Sequence, residues 1–191
     1  MKAPSPHPIA ERREVCVLFA DVVNSTGLAH ALALESYGAL MTELLQLLML
    51  ACSVRGGEVL PPQGDAVVAL WRGNEASFAL ETAFELPGRL AGLEMARGLE
   101  LDLKLRAGLA SGEVLRAAWG GAVSAYGLPL NLSRRLCDLA EPGGAVACER
   151  TVSAVPAALF SPLPPLPLQG FPVARAWQLR APPSLAQVKS S

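Results

Sequence analysis

Two acidic residues stand where metal-assisted chemistry would need them. Asp21 closes the unbroken apolar run "VCVLFA" at residues 15–20, and Asn24, Ser25 and Thr26, good helix-starting types, follow almost at once. Asp65 comes 44 residues later, on the Gly64-Asp65 reversal within "GGEVLPPQGDAVVALW" at residues 56–71. Taken singly, each has an ordinary local reading: an aspartate before Asn-Ser-Thr as a cap, and Gly-Asp as hairpin chemistry. In a sheet that sets the first strand beside that hairpin, however, the two carboxylates would meet at one edge. Two hard oxygen ligands beside free backbone N–H groups at a helix start suit a divalent cation and a polyphosphate together. A second pair, Asn131 and Arg135, is spaced i, i+4 and so shares one face of a short helix. A helix cap and a solvated arginine are the plainer reading of that pair. Arg134 beside it reads as solvated, and Arg106, on a polar strand face, reads as a phosphate contact or a surface ion-pair partner.

The elements that must position these residues follow from periodicity. Val15 to Ala20, β-branched and aromatic without polar interruption, predicts a central strand covered on both faces. Leu28, Leu32, Tyr37, Met41, Leu44 and Leu48 recur at helical spacing toward Cys52, predicting a long helix with a break near Gly38 and an end at Arg55-Gly56-Gly57. After the hairpin, a second helix is predicted from Glu75 to about Arg97, kinked or split at Pro87-Gly88. "LDLKLRAGLASGEVL" alternates from Leu101 as a half-buried strand, and Asn131 to Ala140 is a short amphipathic helix. "AVAC" is strand-like, a helical turn follows Thr151, Pro162 to Pro167 reads as a stiff connector, and "ARAWQL" as a last strand. Strand, helix, strand, strand, helix, strand is the α+β, ferredoxin-like split βαβ arrangement, here with additions on its C-terminal side. The expected organisation is a flexible leader at 1–12, one domain at 13–180 and a flexible tail at 181–191.

Composition bounds the function. With 51% apolar residues in 191, the chain can bury a sizeable core. Sixteen Lys and Arg against 17 Asp and Glu leave no basic footprint for nucleic acid. Lysine occurs only at positions 2, 104 and 189, so a site needing positive charge must mostly use arginine. Cys16, Cys52, Cys137 and Cys148 have no metal-ligand spacing and sit in apolar stretches, which predicts buried free thiols and a reducing, cytoplasmic setting. No signal-peptide core is expected in the leader, and the Leu44–Val54 run falls short of a membrane span.

Five stretches in order carry a resemblance. "REVCVLFADVVNSTGLA", "GGEVLPPQGDAVVALW", "LKLRAGLASGEVLRAAWGG", "YGLPLNLSRRLCDLAEPGG" and "PLQGFPVARAWQL" are similar to the successive motifs of the class III nucleotidyl cyclase catalytic domain, from about Arg13 to Leu179. The resemblance implies that Asp21 and Asp65, with the Val22 carbonyl, hold two divalent ions, Mg²⁺ or Mn²⁺. It implies that the backbone of Asn24, Ser25 and Thr26 cradles the β- and γ-phosphates, that Asn131 orients the ribose and that Arg135 stabilises the transition state. The implied reaction makes cyclic AMP from ATP by attack of the ribose 3′-oxygen on the α-phosphate, without a histidine base; His7 and His30 are the only histidines. It also implies a head-to-tail homodimer, because the family builds each site between two domains, and an inactive monomer.

Three positions depart from the family pattern. Pro61 stands where a lysine reads the base, and it has neither a charged head nor an N–H. Ser124 replaces that lysine's Asp or Thr partner and keeps a hydroxyl, while Gln169 stands where a phosphate-binding lysine is expected. Losing one charged hydrogen bond removes about 1.5–3 kcal/mol, one to two decades in affinity or rate, which weakens a cyclase without abolishing it. Gln63, two residues on from Pro61, is a candidate replacement at the base edge. Two further readings therefore stand beside the first: a cyclase-homology domain that binds nucleotide or a partner with little turnover, and a cyclase of relaxed or guanine specificity.

Overall fold

The computed structural model describes residues 11–119, 122–155 and 159–180; the tail expected at 181–191 and residues 1–10 of the leader expected at 1–12 lie outside them, whereas Glu11 and Arg12, expected in that leader, are strand residues because they pair with Arg116 and Leu115. The first strand, β1 (Glu11–Val22), is the centre of the fold, and its residues Val15 to Ala20 are each 6% exposed or less. A two-sided apolar run has to be covered on both faces, and here it is. Helices α1 (Ser25–Ala31) and α2 (Leu34–Val54) follow, then β2 (Glu58–Val59), β3 (Val67–Arg72), α3 (Ala76–Leu90) and α4 (Glu94–Gly98). Next come β4 (Leu105–Trp119), β5 (Ala122–Tyr126), α5 (Leu128–Leu139), β6 (Ala145–Cys148) and α6 (Glu149–Val152). Short strands β7 (Phe160–Pro162), β8 (Leu166–Leu168), β9 (Phe171–Ala174) and β10 (Ala176–Leu179) finish the described chain.

Strand order is β2-β3-β1-β4-β6-β10-β7, with β5 paired to β4 and β8-β9 forming a separate ribbon. Within it, β2-β3-β1-β4 is the ferredoxin-like set: β1 runs antiparallel to both β3 and β4, so β3 and β4 are parallel with β1 between them. The addition is a βαβ unit, β4-α5-β6, whose strands pair in parallel. One sheet face, carrying Cys16, Leu18 and Ala20, packs on α2 and α3; the other, carrying Val15, Val17 and Phe19, packs toward α5 through Cys137 and Leu130.

Several boundaries differ from the periodicity reading. The first helix breaks at Leu32-Ala33, both extended, while Gly38 lies inside α2. Neither residue is a helix breaker, so propensity carried no notice of it. The α3 helix runs through Pro87 and ends at Leu90; α4 then starts afresh, the N–H groups of Glu94 and Met95 donating to the Glu43 carboxylate at 2.8 and 2.9 Å. Strand β4 begins at Leu105 because β1, its partner, ends at Val22, although Leu101 and Leu103 still pack against the core. Helix α5 starts three residues early, with Pro129 in its first turn, where a missing N–H costs nothing. Thr151 lies within α6 rather than before it, and the supposed connector holds the end of β7 and the start of β8. By length and apolarity α2 would suffice to cross a membrane, yet Leu40, Leu44, Leu48 and Cys52 pack into the domain's own core. Leu34, Leu50 and Val54 are its exposed remainder.

Helix α5 reaches the sheet at Gly108. A Cβ there would lie 1.9 Å from the Ser133 carbonyl oxygen and 2.4 Å from the Cys137 nitrogen, so any side chain forces α5 outward. Gly108→Ala is therefore expected to destabilise the chain by about 1–3 kcal/mol or more through overpacking. By contrast Gly88→Ala, in α3 with open space around it, is expected to add about 0.5–1 kcal/mol. Chemical denaturation of both variants beside the wild type measures the difference.

Candidate active site

Register explains how the acids meet. Ala20 pairs with Val67 and Asp21 with Arg106, so β1 delivers Asp21 to the sheet end where the β2-β3 connection turns. That connection is a two-residue reversal: Gln63 and Ala66 bridge each other, and Gly64 takes a left-handed φ of 70°, which places Asp65 at the tip. The half-buried Asp21 and Asp65 carboxyl groups come within hydrogen-bonding reach of one another. Burial raises Asp21 above the usual carboxylate range, and the Asp65 charge raises it further; the Val22 N–H, donating to Asp21 Oδ1 at 2.9 Å, and the Arg106 guanidinium pull the other way.

Arg106 lies directly across the ladder from Asp21, on the same face, and its Nε is buried without a hydrogen-bond partner among the described residues. An orphaned buried guanidinium nitrogen is a standing demand for an oxygen acceptor. Val22, buried, ends β1, and Val23 donates to the Lys104 carbonyl at 2.9 Å. Asn24 then adopts a left-handed conformation (φ 60°, ψ 34°) as N-cap of α1, with no side-chain cap bond; the first helical bond runs from the Leu28 N–H to its carbonyl at 3.1 Å. The N–H groups of Ser25 and Thr26 consequently have no acceptor within the helix. Two adjacent carboxylates, an orphaned cation and free amides fit hard divalent cations carrying a polyphosphate; no third acidic, histidine or cysteine ligand joins them among the described residues. The thiols play no part: all four are free and buried, and burial pushes Cys16, Cys52 and Cys137 up to about 12.

The second group of predicted residues lies elsewhere on the same sheet face. A cleft of about 400 Å³ has Phe19, Val68 and Ala125 among its apolar walls and Gln63, Tyr126, Asn131 and Arg134 as polar ones. Gln63 and Asn131 are thus brought together. Pro61 is exposed, and Ser124, in β5 opposite Ala117 of β4, is half-buried and not among the residues lining the cleft, since neighbours along a strand face opposite sides and Ala125 takes the cleft side. Arg135 is half-buried and faces Asp138 at 3.7 Å, and among the described residues it forms no ion pair with Asp21 or Asp65; Arg106 is the cation that acts on Asp21. Gln169 is exposed at the turn between β8 and β9. Sequence reading passed over Arg134, which lines the cleft with its guanidinium 5.9 Å from the Phe19 ring centroid. Its spacing of i+3 from Asn131 was a signal as good as the i+4 spacing of Arg135.

No protein-family model matches the sequence, and no curated protein matches it. Solved structures do. The adenylyl cyclase CyaB from P. aeruginosa superposes with a TM-score of 0.82 at 18% identity, covering 92% of this chain and 97% of that one. The guanylate cyclase domain of RhGC from Catenaria anguillulae, in complex with GTP, gives 0.82 at 18% identity, covering 91% and 100%. The non-canonical dimeric guanylyl cyclase domain of the RhoGC fusion protein from Blastocladiella emersonii gives 0.78 at 17% identity, covering 88% and 97%. The chain has the fold of the class III nucleotidyl cyclase catalytic domain.

The crowded acids generate a stability test on metal-free protein. A carboxyl raised in the folded state is no burden below the ordinary aspartate range, and it withdraws stability as pH climbs through its raised value. Asp21→Asn is therefore expected to melt above the wild type at neutral pH, with the advantage disappearing in acid. Thermal melts in chelator across that range read it out.

Proposed function

We propose that this chain cyclises a purine nucleoside triphosphate to its 3′,5′-cyclic monophosphate, releasing pyrophosphate, as a head-to-tail homodimer in a reducing compartment. The observation that carries the reading is the convergence of Asp21 and Asp65 beside the orphaned Arg106 Nε, on a cyclase fold. Asp21, Asp65 and the Val22 carbonyl would hold two Mg²⁺ or Mn²⁺ ions. Such ions, when bound, ease ionisation of the attacking hydroxyl and neutralise charge on the leaving phosphates.

The chain's own groups do the rest. Arg106 and the Asn24–Thr26 amides bind the β- and γ-phosphates. Asn131 of the facing copy orients the ribose, so that the 3′-oxygen lies in line with the bond to pyrophosphate. Arg135 of the facing copy leaves Asp138 to meet the charge gathering at the α-phosphate. The 3′-oxygen bonds to the α-phosphorus, the bond to pyrophosphate breaks, and the hydroxyl proton passes to solvent. Two features support the split between copies: Arg135 pairs with Asp138 and, among the described residues, with neither Asp21 nor Asp65, and Leu115, Tyr126 and Leu128 are exposed beside the cleft. ATP is the substrate read from the sequence and GTP the alternative, since phosphate and ribose groups serve both. Pro61 and Gln169 favour a second reading, nucleotide binding with little turnover, which the same assay separates.

Purified chain with Mn²⁺ and either ATP or GTP is expected to yield cyclic nucleotide. Asp21→Ala and Asp65→Ala should yield none, and Arg135→Ala should lower kcat by about 10²–10³-fold. Mixing Asp21→Ala with Arg135→Ala should recover activity, because one site of each mixed dimer is intact. A mixture no better than its components would place the whole site in a single copy, and binding without product would favour the second reading.

A further inference from the structure

We propose that Arg134 reads the nucleobase and turns selection toward 6-oxopurines, guanine above adenine; this rests on the nucleotide reading of the site. The cleft that holds Asn131 is the space for a base, with Phe19, Val68 and Ala125 offering apolar surface for a purine face. Its polar groups are unusual in sign. No carboxylate lines it among the described residues, and Pro61 presents no donor or acceptor from its side chain. What it does have is Arg134, exposed, in no ion pair among the described residues and held above the Phe19 ring by cation–π attraction.

The base edges decide the direction. Guanine presents two acceptors side by side, O6 and N7, whereas adenine presents N7 beside the N6 amino donor. A guanidinium has five donors and no acceptor, so it can bond guanine's edge with two parallel N–H groups but opposes adenine's amino group donor to donor. Gln63, on the same cleft, has an amide oxygen for guanine's N1–H and N2 amino group, which adenine lacks. Arginine is the donor the described cleft supplies: lysine occurs at three positions, and no lysine is among the described residues that line it.

The experiment compares bases in binding and in turnover. Calorimetry with Mn²⁺ and the α,β-methylene analogues of GTP and ATP, which cannot be cyclised, measures selectivity without chemistry; GTP and ATP are then assayed for cyclic product. Wild type is expected to favour guanine between about 5-fold and about 150-fold, the worth of one bidentate base contact. Arg134→Ala should bring the ratio close to one, and Arg134→Lys should restore only part of it, because an ammonium lacks the fork. Unchanged melting of each variant excludes a folding defect. An adenine preference in the wild type, or a ratio that Arg134→Ala leaves in place, overturns the proposal. Guanine-selective binding without product upholds it while removing cyclisation, and equal turnover of both nucleotides does the reverse. Failure of both analogues to bind removes both.

Discussion

Two carboxylates held together at the end of a buried strand repel one another, and the fold is built so that they cannot separate. Asp21 is fixed by a ladder that pairs β1 along its length with β4, and Asp65 by a two-residue reversal that leaves no slack. Arg106 offsets part of the charge while keeping one nitrogen unpartnered. Such an arrangement is costly for a chain alone, which is the physical reason to look for cations and phosphates that make it favourable. The central strand is correspondingly over-determined, with an apolar interior and pairing on both sides.

The second half of the site depends on how closely a helix can approach the sheet. Gly108 and buried Ser133 let α5 lie against β4, and that depth aims Asn131 and Arg134 into the cleft over Phe19. Carboxylates and cleft thus share one face of the sheet, while α2 and α3 cover the opposite face and supply most of the core. In the proposed dimer a facing copy presented to that face would join the two halves, with Arg135 released from Asp138.

Much of this was legible in the amino-acid order because the decisive signals are local. An apolar strand ending in Asp21, a Gly-Asp reversal and alternation from Leu101, of which the part from Leu105 is strand, set the split βαβ frame and the meeting of the acids. Elements ruled by distant partners were not legible. The start of α4 depends on Glu43 of α2, far off in the chain, and the start of β4 on where β1 stops. Thr151 joins α6 because its hydroxyl meets Ser111 at 2.9 Å, a contact no periodicity contains. Arg134 is exposed, as its sequence suggests, but its place over Phe19 joins α5 to β1, more than a hundred residues apart, and no local pattern contains that contact.

Anomalous diffraction from crystals grown with Mn²⁺ and an α-thio purine triphosphate would test the central claim most directly. The account predicts manganese peaks between Asp21 and Asp65 of one copy, with Asn131 and Arg135 of the facing copy on the same nucleotide. Manganese held by the nucleotide alone, or lying away from those carboxylates, would contradict it.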